Sequence, residues 1–173
     1  MRKIVVLDGY AANPGDLSWD EIASLGALSV FDRTAPEMVL NRCKNAEIVI
    51  TNKTPLNQET LQKLPELKMI SVLATGYNVV DIKAANRQNI VVSNVAGYST
   101  QSVAQLVFAY ILEFCHHVQR HTDAVKTGAW SQCKDFCFWN YPLVELEGKT
   151  LGIVGYGTIG KAVEKIAQAF GMN

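Results

Sequence analysis

Residues 151–167 read LGIVGYGTIGKAVEKIA, and the pattern in this stretch sets the fold class. An apolar run, Leu151–Val154, leads into Gly155, Gly157 and Gly160 at the spacing G-x-G-x-x-G, and a helical pattern follows to Phe170. The motif is weak in isolation and gains weight between a strand and a helix, where each glycine has its own physical task. Gly155 permits a tight turn, Gly157 lets the backbone approach a diphosphate, and Gly160 lets the helix pack closely on the strand. The first turn of such a helix offers unpaired N–H groups and the positive end of its dipole to an anion. The spacing therefore predicts a strand over 151–154, a turn over 155–160 and a helix over 159–170. The nucleotide-binding candidates are Gly155, Tyr156, Gly157, Thr158, Ile159 and Gly160. The same residues spell G-x-x-x-x-G-K, the phosphate loop of nucleotide hydrolases, but Ala162 stands where that loop needs a magnesium-binding hydroxyl. A glycine turn without a ligand is the remaining alternative.

Toward the N-terminus, short β-branched runs recur at Lys3–Leu7, Leu28–Phe31, Glu47–Ile50, Met69–Ala74 and Ile90–Ser93, each of a length suited to a buried strand. Helical patterns lie between them: Trp19–Leu25, Pro36–Cys43 behind a Thr34 or Ala35 cap, Asn57–Leu64 and Val80–Gln88. Strands alternating with helices make parallel units, because a parallel neighbour is reached only through a crossover. Residues 1–98 are therefore expected to form a five-stranded, doubly wound α/β domain. Ser102-Val103-Ala104-Gln105 fits a capping box, and apolar residues continue toward Val125, so a bridging helix of about seven turns is expected over 102–125. Gly128 is its expected stop. Residues 130–141, WSQCKDFCFWNY, carry five aromatics without a period, which suits a packed arm or a subunit contact equally. The expected parts are thus 1–98, 99–149 and 150–173; a lone βα pair cannot cover both faces of a parallel strand, so the last part is expected either to be the first βα unit of a truncated Rossmann domain or to dock on a partner.

Composition narrows the function classes. Sixteen Lys and Arg balance sixteen Asp and Glu, which argues against a nucleic-acid surface, where phosphate contacts need clustered excess positive charge. A 49% hydrophobic share with 18% charged residues supports a core and excludes a disordered chain. The apolar run after Lys3 is too short for a secretory segment, and the uncharged stretch 88–112 is broken by Ser, Asn, Thr and Gln, so no membrane is implied. Four cysteines without an export signal are read as cytoplasmic thiols. His117, His121, Cys133 and Cys137 would straddle a helix and a loop at a poor spacing for zinc, so no metal site is assigned. No histidine has a carboxylate partner nearby in sequence, and no general acid or base is nominated. At the carboxyl end of the Met69 strand, Thr75-Gly76-Tyr77 is placed to cradle a small carboxylate, with Lys53 on the same rim; an ordinary strand-to-helix turn is the plainer alternative.

Taken together, NKTPL, ATGYNVVDI, NVAGYSTQSVAQL and ELEGKTLGIVGYGTIGKAV resemble the D-isomer-specific 2-hydroxyacid dehydrogenases, in particular the glycerate dehydrogenase and hydroxypyruvate reductase branch. The resemblance implies an outer, flavodoxin-like substrate domain and an inner nicotinamide-binding domain, with catalysis between them in a cytoplasmic homodimer. It implies that Thr75, Gly76 and Tyr77 hold the substrate carboxylate and that Lys53, at the border of that site, belongs to the substrate-binding residues. It further implies that Thr100 and Val103 lie beside the nicotinamide and that 155–160 seat the diphosphate. The expected partners are a small 2-keto or 2-hydroxy acid and NAD or NADP, with NAD ahead. The residue that would choose between the two is expected near position 175. The family's arginine, glutamate and histidine are expected beyond Asn173, so these 173 residues are expected to be inactive by themselves. A nucleotide-binding regulator of corepressor type, without turnover, is the alternative.

Overall fold

The computed structural model describes all residues, 1–173, and divides them into two compact units, Met1–Ala96 and Gly97–Asn173. The first unit is built on five short strands: β1 (Lys3–Val6), β2 (Ala27–Val30), β3 (Ile48–Thr51), β4 (Met69–Val72) and β5 (Val91–Asn94). Every pairing is parallel, and the order across the sheet is β2-β1-β3-β4-β5. This is the flavodoxin-like, doubly wound order that the family resemblance implied. β1 sits inside the sheet, with Ile4 opposite Leu28 on one side and Ile48 on the other.

Alternation along the strands divides the core into two faces. Val5, Leu7, Val49, Ile70 and Val72 point to one side and pack with residues of α2 (Val39–Cys43), α3 (Gln58–Gln62) and α4 (Ile82–Arg87). Ile4, Val6 and Ile50 point to the other, where Trp19 and Ile22 at α1 (Asp20–Ala23) cover them. The chain steps from β1 to β2 in one direction and then returns past β1 toward β5. Right-handed crossovers therefore put α1 opposite α2, α3 and α4. Two helix starts are fixed by side chains: Asn57 accepts from the Thr60 N–H at 2.9 Å and Asp81 from the Ala84 N–H at 2.9 Å. Ahead of α2, Ala35 occupies the cap position without a side-chain bond, while the Thr34 hydroxyl turns away to donate to the Leu7 carbonyl.

The second unit corrects three expectations. The helix expected to run unbroken to Val125 is two helices, α5 (Thr100–His116) and α6 (Val118–Lys126), separated by His117 in the left-handed region at φ 49°. The Cys115 carbonyl, which an unbroken helix would pair with residue 119, instead accepts from the Val144 N–H at 3.1 Å, and the His117 ring packs edge-on against Tyr141 at 5.0 Å. The arm thus competes for the end of α5. The capping box at Ser102–Gln105 does not form, because the helix has already begun at Thr100 after the Gly97 turn, leaving Ser102 inside its first turn. Leu151–Val154 is not a paired strand. A parallel strand needs a ladder, and this one has a single rung, in which Asn173 donates to the Lys149 carbonyl and Leu151 donates to the Asn173 carbonyl, each at 2.8 Å.

The core of this unit lies between α5 and α7 (Thr158–Ala169), with Ala104, Phe108, Leu146, Val163 and Ala167 buried. Phe108 stacks on Phe170 with ring centroids 5.3 Å apart. In the aromatic arm the Trp130 indole donates to the Phe136 carbonyl at 3.0 Å. No helix is long and apolar enough to cross a membrane.

Cys43 is fully buried on α2, and desolvation pushes its thiol up to about 11 from an ordinary 9.0 against the opposing charge of Lys3. The folded state therefore retains a proton that the unfolded chain loses near pH 9, and the associated stability, fully present below that, declines as pH rises toward about 11. Urea melts between pH 8 and 10.5 are expected to show this loss. Titration with a thiol reagent at pH 8 is expected to find Cys115, Cys133 and Cys137 reactive and Cys43 silent until the protein unfolds.

Candidate functional site

The first cluster of candidates sits on the carboxyl edge of the sheet and is organised by Asp8, the residue that follows the β1 run. Its carboxylate is 7% exposed and accepts three consecutive backbone N–H groups, from Asn52 at 2.7 Å, Lys53 at 2.6 Å and Thr54 at 2.8 Å. The Thr51 hydroxyl, also buried, donates to the Thr54 carbonyl at 3.0 Å. Hydrogen bonds to an ionised carboxylate are among the stronger ones available to a loop, and three from one segment fix its backbone. The loop leaving β3 is therefore held in one shape, with the Lys53 side chain exposed on the rim.

The neighbouring loop carries Thr75, Gly76 and Tyr77, which leave the end of β4. It is braced from both sides. Asn52 donates to the Leu73 carbonyl at 2.9 Å, Asn94 donates to the Thr75 carbonyl at 2.8 Å, and the Thr75 hydroxyl donates to the Val95 carbonyl at 3.2 Å. A further rung ties the two loops where Leu56 donates to the Val79 carbonyl and Asp81 to the Leu56 carbonyl, at 2.8 and 3.0 Å. All three residues are exposed, and their backbone N–H groups find no acceptor within the protein. The arrangement is a row of amide donors on a clamped loop, one strand away from Lys53.

The second cluster belongs to the other unit. Gly155 adopts φ +95°, which a side chain disfavours. A Cβ at Gly160 would fall 2.5 Å from the Gly155 carbonyl oxygen, so the start of α7 lies directly against the turn. Gly157 differs: its φ of −88° suits any residue, and a Cβ built there meets nothing within 4 Å. Its smallness serves no internal packing. No side chain caps α7 and no acidic residue occupies its first turn. Gly157 and Thr158 share a cleft of about 500 Å³ with Thr100 and Gln101 at the start of α5 and with Lys161 and Lys165. Two helix N-termini and two lysines make this lining strongly attractive to anions. Tyr156 turns its hydroxyl to the Glu164 carboxylate, a bond that holds the phenol above its usual range, and Lys161 lies 5.8 Å over its ring.

The structure thus gathers Thr75, Gly76 and Tyr77 on one loop with Lys53 on the next. It also places Thr100 beside the 155–160 turn. Val103, one turn into α5, is partly exposed and does not line that cleft. Sequence reasoning missed Asp8. Its signal was present, a lone acid directly at the carboxyl end of an apolar strand run, IVVLD.

Residues 5–171 match the family described as the D-isomer specific 2-hydroxyacid dehydrogenase, catalytic domain. Among curated relatives, a hydroxypyruvate reductase of Blautia hydrogenotrophica is 52% identical over 173 residues, 98% of this chain and 54% of the relative. Among solved structures, an acyclic imino acid reductase in complex with NADPH and D-Arg superposes with a TM-score of 0.77 at 30% identity, covering 98% of this chain and 54% of that one. A D-lactate dehydrogenase from Aquifex aeolicus, complexed with NAD and lactic acid, gives 0.75 at 28% identity, covering 99% and 49%. The chain spans about half the length of these proteins.

Replacing Asp8 with Ala is expected to leave three amides, one buried and two part-buried, without their acceptor and to cost about 2 kcal/mol, measured as a lower urea midpoint. Gly160→Ala is expected to destabilise as well, through the clash with the Gly155 carbonyl, read as a lower melting temperature.

Proposed function

The chain belongs to the D-isomer-specific 2-hydroxyacid dehydrogenases, and from that premise we propose that the protein it comes from interconverts small D-2-hydroxy acids and 2-keto acids with a nicotinamide dinucleotide. Hydroxypyruvate is the keto acid that the name of the Blautia relative favours. The single observation that supports this best is the open space at Gly157. The position tolerates a side chain on both conformational and packing grounds, so a glycine there suits a ligand's approach to the backbone.

In this reading the uncapped first turn of α7, with Gly155, Tyr156, Gly157, Thr158, Ile159 and Gly160, holds the diphosphate, and Thr100 and Val103 lie toward the nicotinamide. When bound, the nicotinamide supplies or accepts the hydride. The exposed amides of Thr75, Gly76 and Tyr77 bind the substrate carboxylate and orient the acid, and Lys53 adds a positive charge beside it. Their loop is braced by Asn52 and Asn94, so orientation costs little reorganisation on binding. NAD and NADP both suit this turn, and NAD is the first to test. Self-association as a homodimer draws support from the exposed apolar row Leu106, Tyr110 and Phe114 along α5.

Full-length protein is expected to oxidise NADH or NADPH with hydroxypyruvate, and more slowly with glyoxylate. Failure with a panel of 2-keto acids while nucleotide still binds would favour the regulatory alternative, and absence of nucleotide binding would overturn the reading itself. A glycine series adds a sharper test. Gly157→Ala is expected to leave thermal stability within about 0.5 kcal/mol while weakening NADH binding about tenfold or more in fluorescence titration. Gly155→Ala is expected to lower stability itself, because of its positive φ.

A further inference from the structure

The sheet order reverses direction between β1 and β3, and doubly wound sheets receive ligands in the crevice outside the carboxyl ends at such a point. Here that crevice is a cleft of about 310 Å³, lined by Asp8, Tyr10, Asp32, Arg33, Lys53 and Thr54 among others. We propose that it is a binding site for a small anion, a carboxylate or phosphate held between Arg33 and Lys53, separate from the Thr75–Tyr77 cradle.

The charge balance favours an anion. Neither Arg33 nor Lys53 is ion-paired; the chain's two salt bridges are Lys63–Glu59 and Lys68–Glu47. Asp8 already has its charge met by the amides of residues 52–54, so it offers little repulsion. Asp32 is exposed and is the one carboxylate of the lining left over, facing two cations. The Arg33 guanidinium rests on the Tyr10 ring, 4.5 Å from its centroid. Stacking holds the plane of the guanidinium while leaving its N–H edge for a planar or tetrahedral oxyanion. The backbone beneath is equally fixed, since Arg42 donates to the Arg33 carbonyl at 2.6 Å and Gly9 donates to the Phe31 carbonyl at 2.8 Å.

The site is not the far end of the substrate cradle. Arg33 leaves β2 and the cradle leaves β4, three inter-strand steps of about 4.8 Å, or roughly 14 Å along the edge. A three-carbon acid does not span that distance. Lys53 lies between the two, on the loop after β3, so an anion in the cleft draws on a charge that also faces the cradle. Occupancy of either site is then expected to weaken the other by the same factor. The inference stands on the fold and the cleft and does not need the dehydrogenase reading.

The test is a chemical-shift titration of the isotope-labelled 173-residue chain with sodium phosphate and, separately, sodium acetate, at ionic strength held constant with sodium chloride. Saturable shifts at Tyr10, Arg33 and Lys53 are expected, with affinity falling about tenfold or more in Arg33→Ala and less in Arg33→Lys. Saturation by phosphate alone identifies a phosphate site, by acetate alone a carboxylate site, and either supports the proposal. It is overturned if the shifts match those from sodium chloride, are confined to residues 75–77 or 155–160, or keep their affinity in Arg33→Ala. Should Arg33→Ala disturb the spectrum away from the cleft, Lys53→Gln replaces it and is held to the same tenfold loss.

Discussion

The carboxyl edge of the first unit depends on one buried carboxylate. Asp8 closes the gap between the end of β1 and the loop after β3 by accepting three successive amides, so its own charge is taken up within the loop's geometry. Without it the 52–54 backbone would lose the acceptor of three successive amides, the last of them buried. The candidate residues on that edge take their positions from this clamp. Lys53 projects from the clamped segment, and Asn52, positioned by the same bond, carries the order across to the β4 loop through the Leu73 carbonyl.

The second unit reaches a comparable result by different means. Its turn is shaped by backbone conformation at Gly155 and by close contact at Gly160, and both constraints are internal. Only Gly157 is unexplained by the folded chain. The two units therefore present anion-attracting surfaces of opposite construction. One is a row of amides held by side chains, the other a helix end left open by the absence of side chains.

Much of the first unit was legible from the residues. The five β-branched runs became the five strands with ends shifted by a residue or two, and Asn57 and Asp81 stood where caps were needed. Strand order was not legible from periodicity, because alternation says which face a side chain takes and not which strand is its neighbour. It came instead from the family resemblance. The break at His117 had no signal: Cys115-His116-His117 contains neither glycine nor proline, and the cause is a distant amide, that of Val144. The Leu151–Val154 strand failed for the opposite reason, since the local pattern is sound and strand formation is a property of the ladder. The cleft beside Arg33 was invisible because Tyr10, Arg33 and Lys53 come from three different strand ends, and only the sheet order brings them together.

The interior position of β1 also bears on how the molecule is made. Of the five strands β1 is made first, and it is flanked in the finished sheet by residues 27–30 and 48–50, so one of its hydrogen-bonding edges stays unfilled until some forty more residues have emerged. Pairings so distant along the chain slow folding and leave a sticky apolar segment uncovered meanwhile. Among the five strands β1 is thus the one for which early protection by a chaperone matters most.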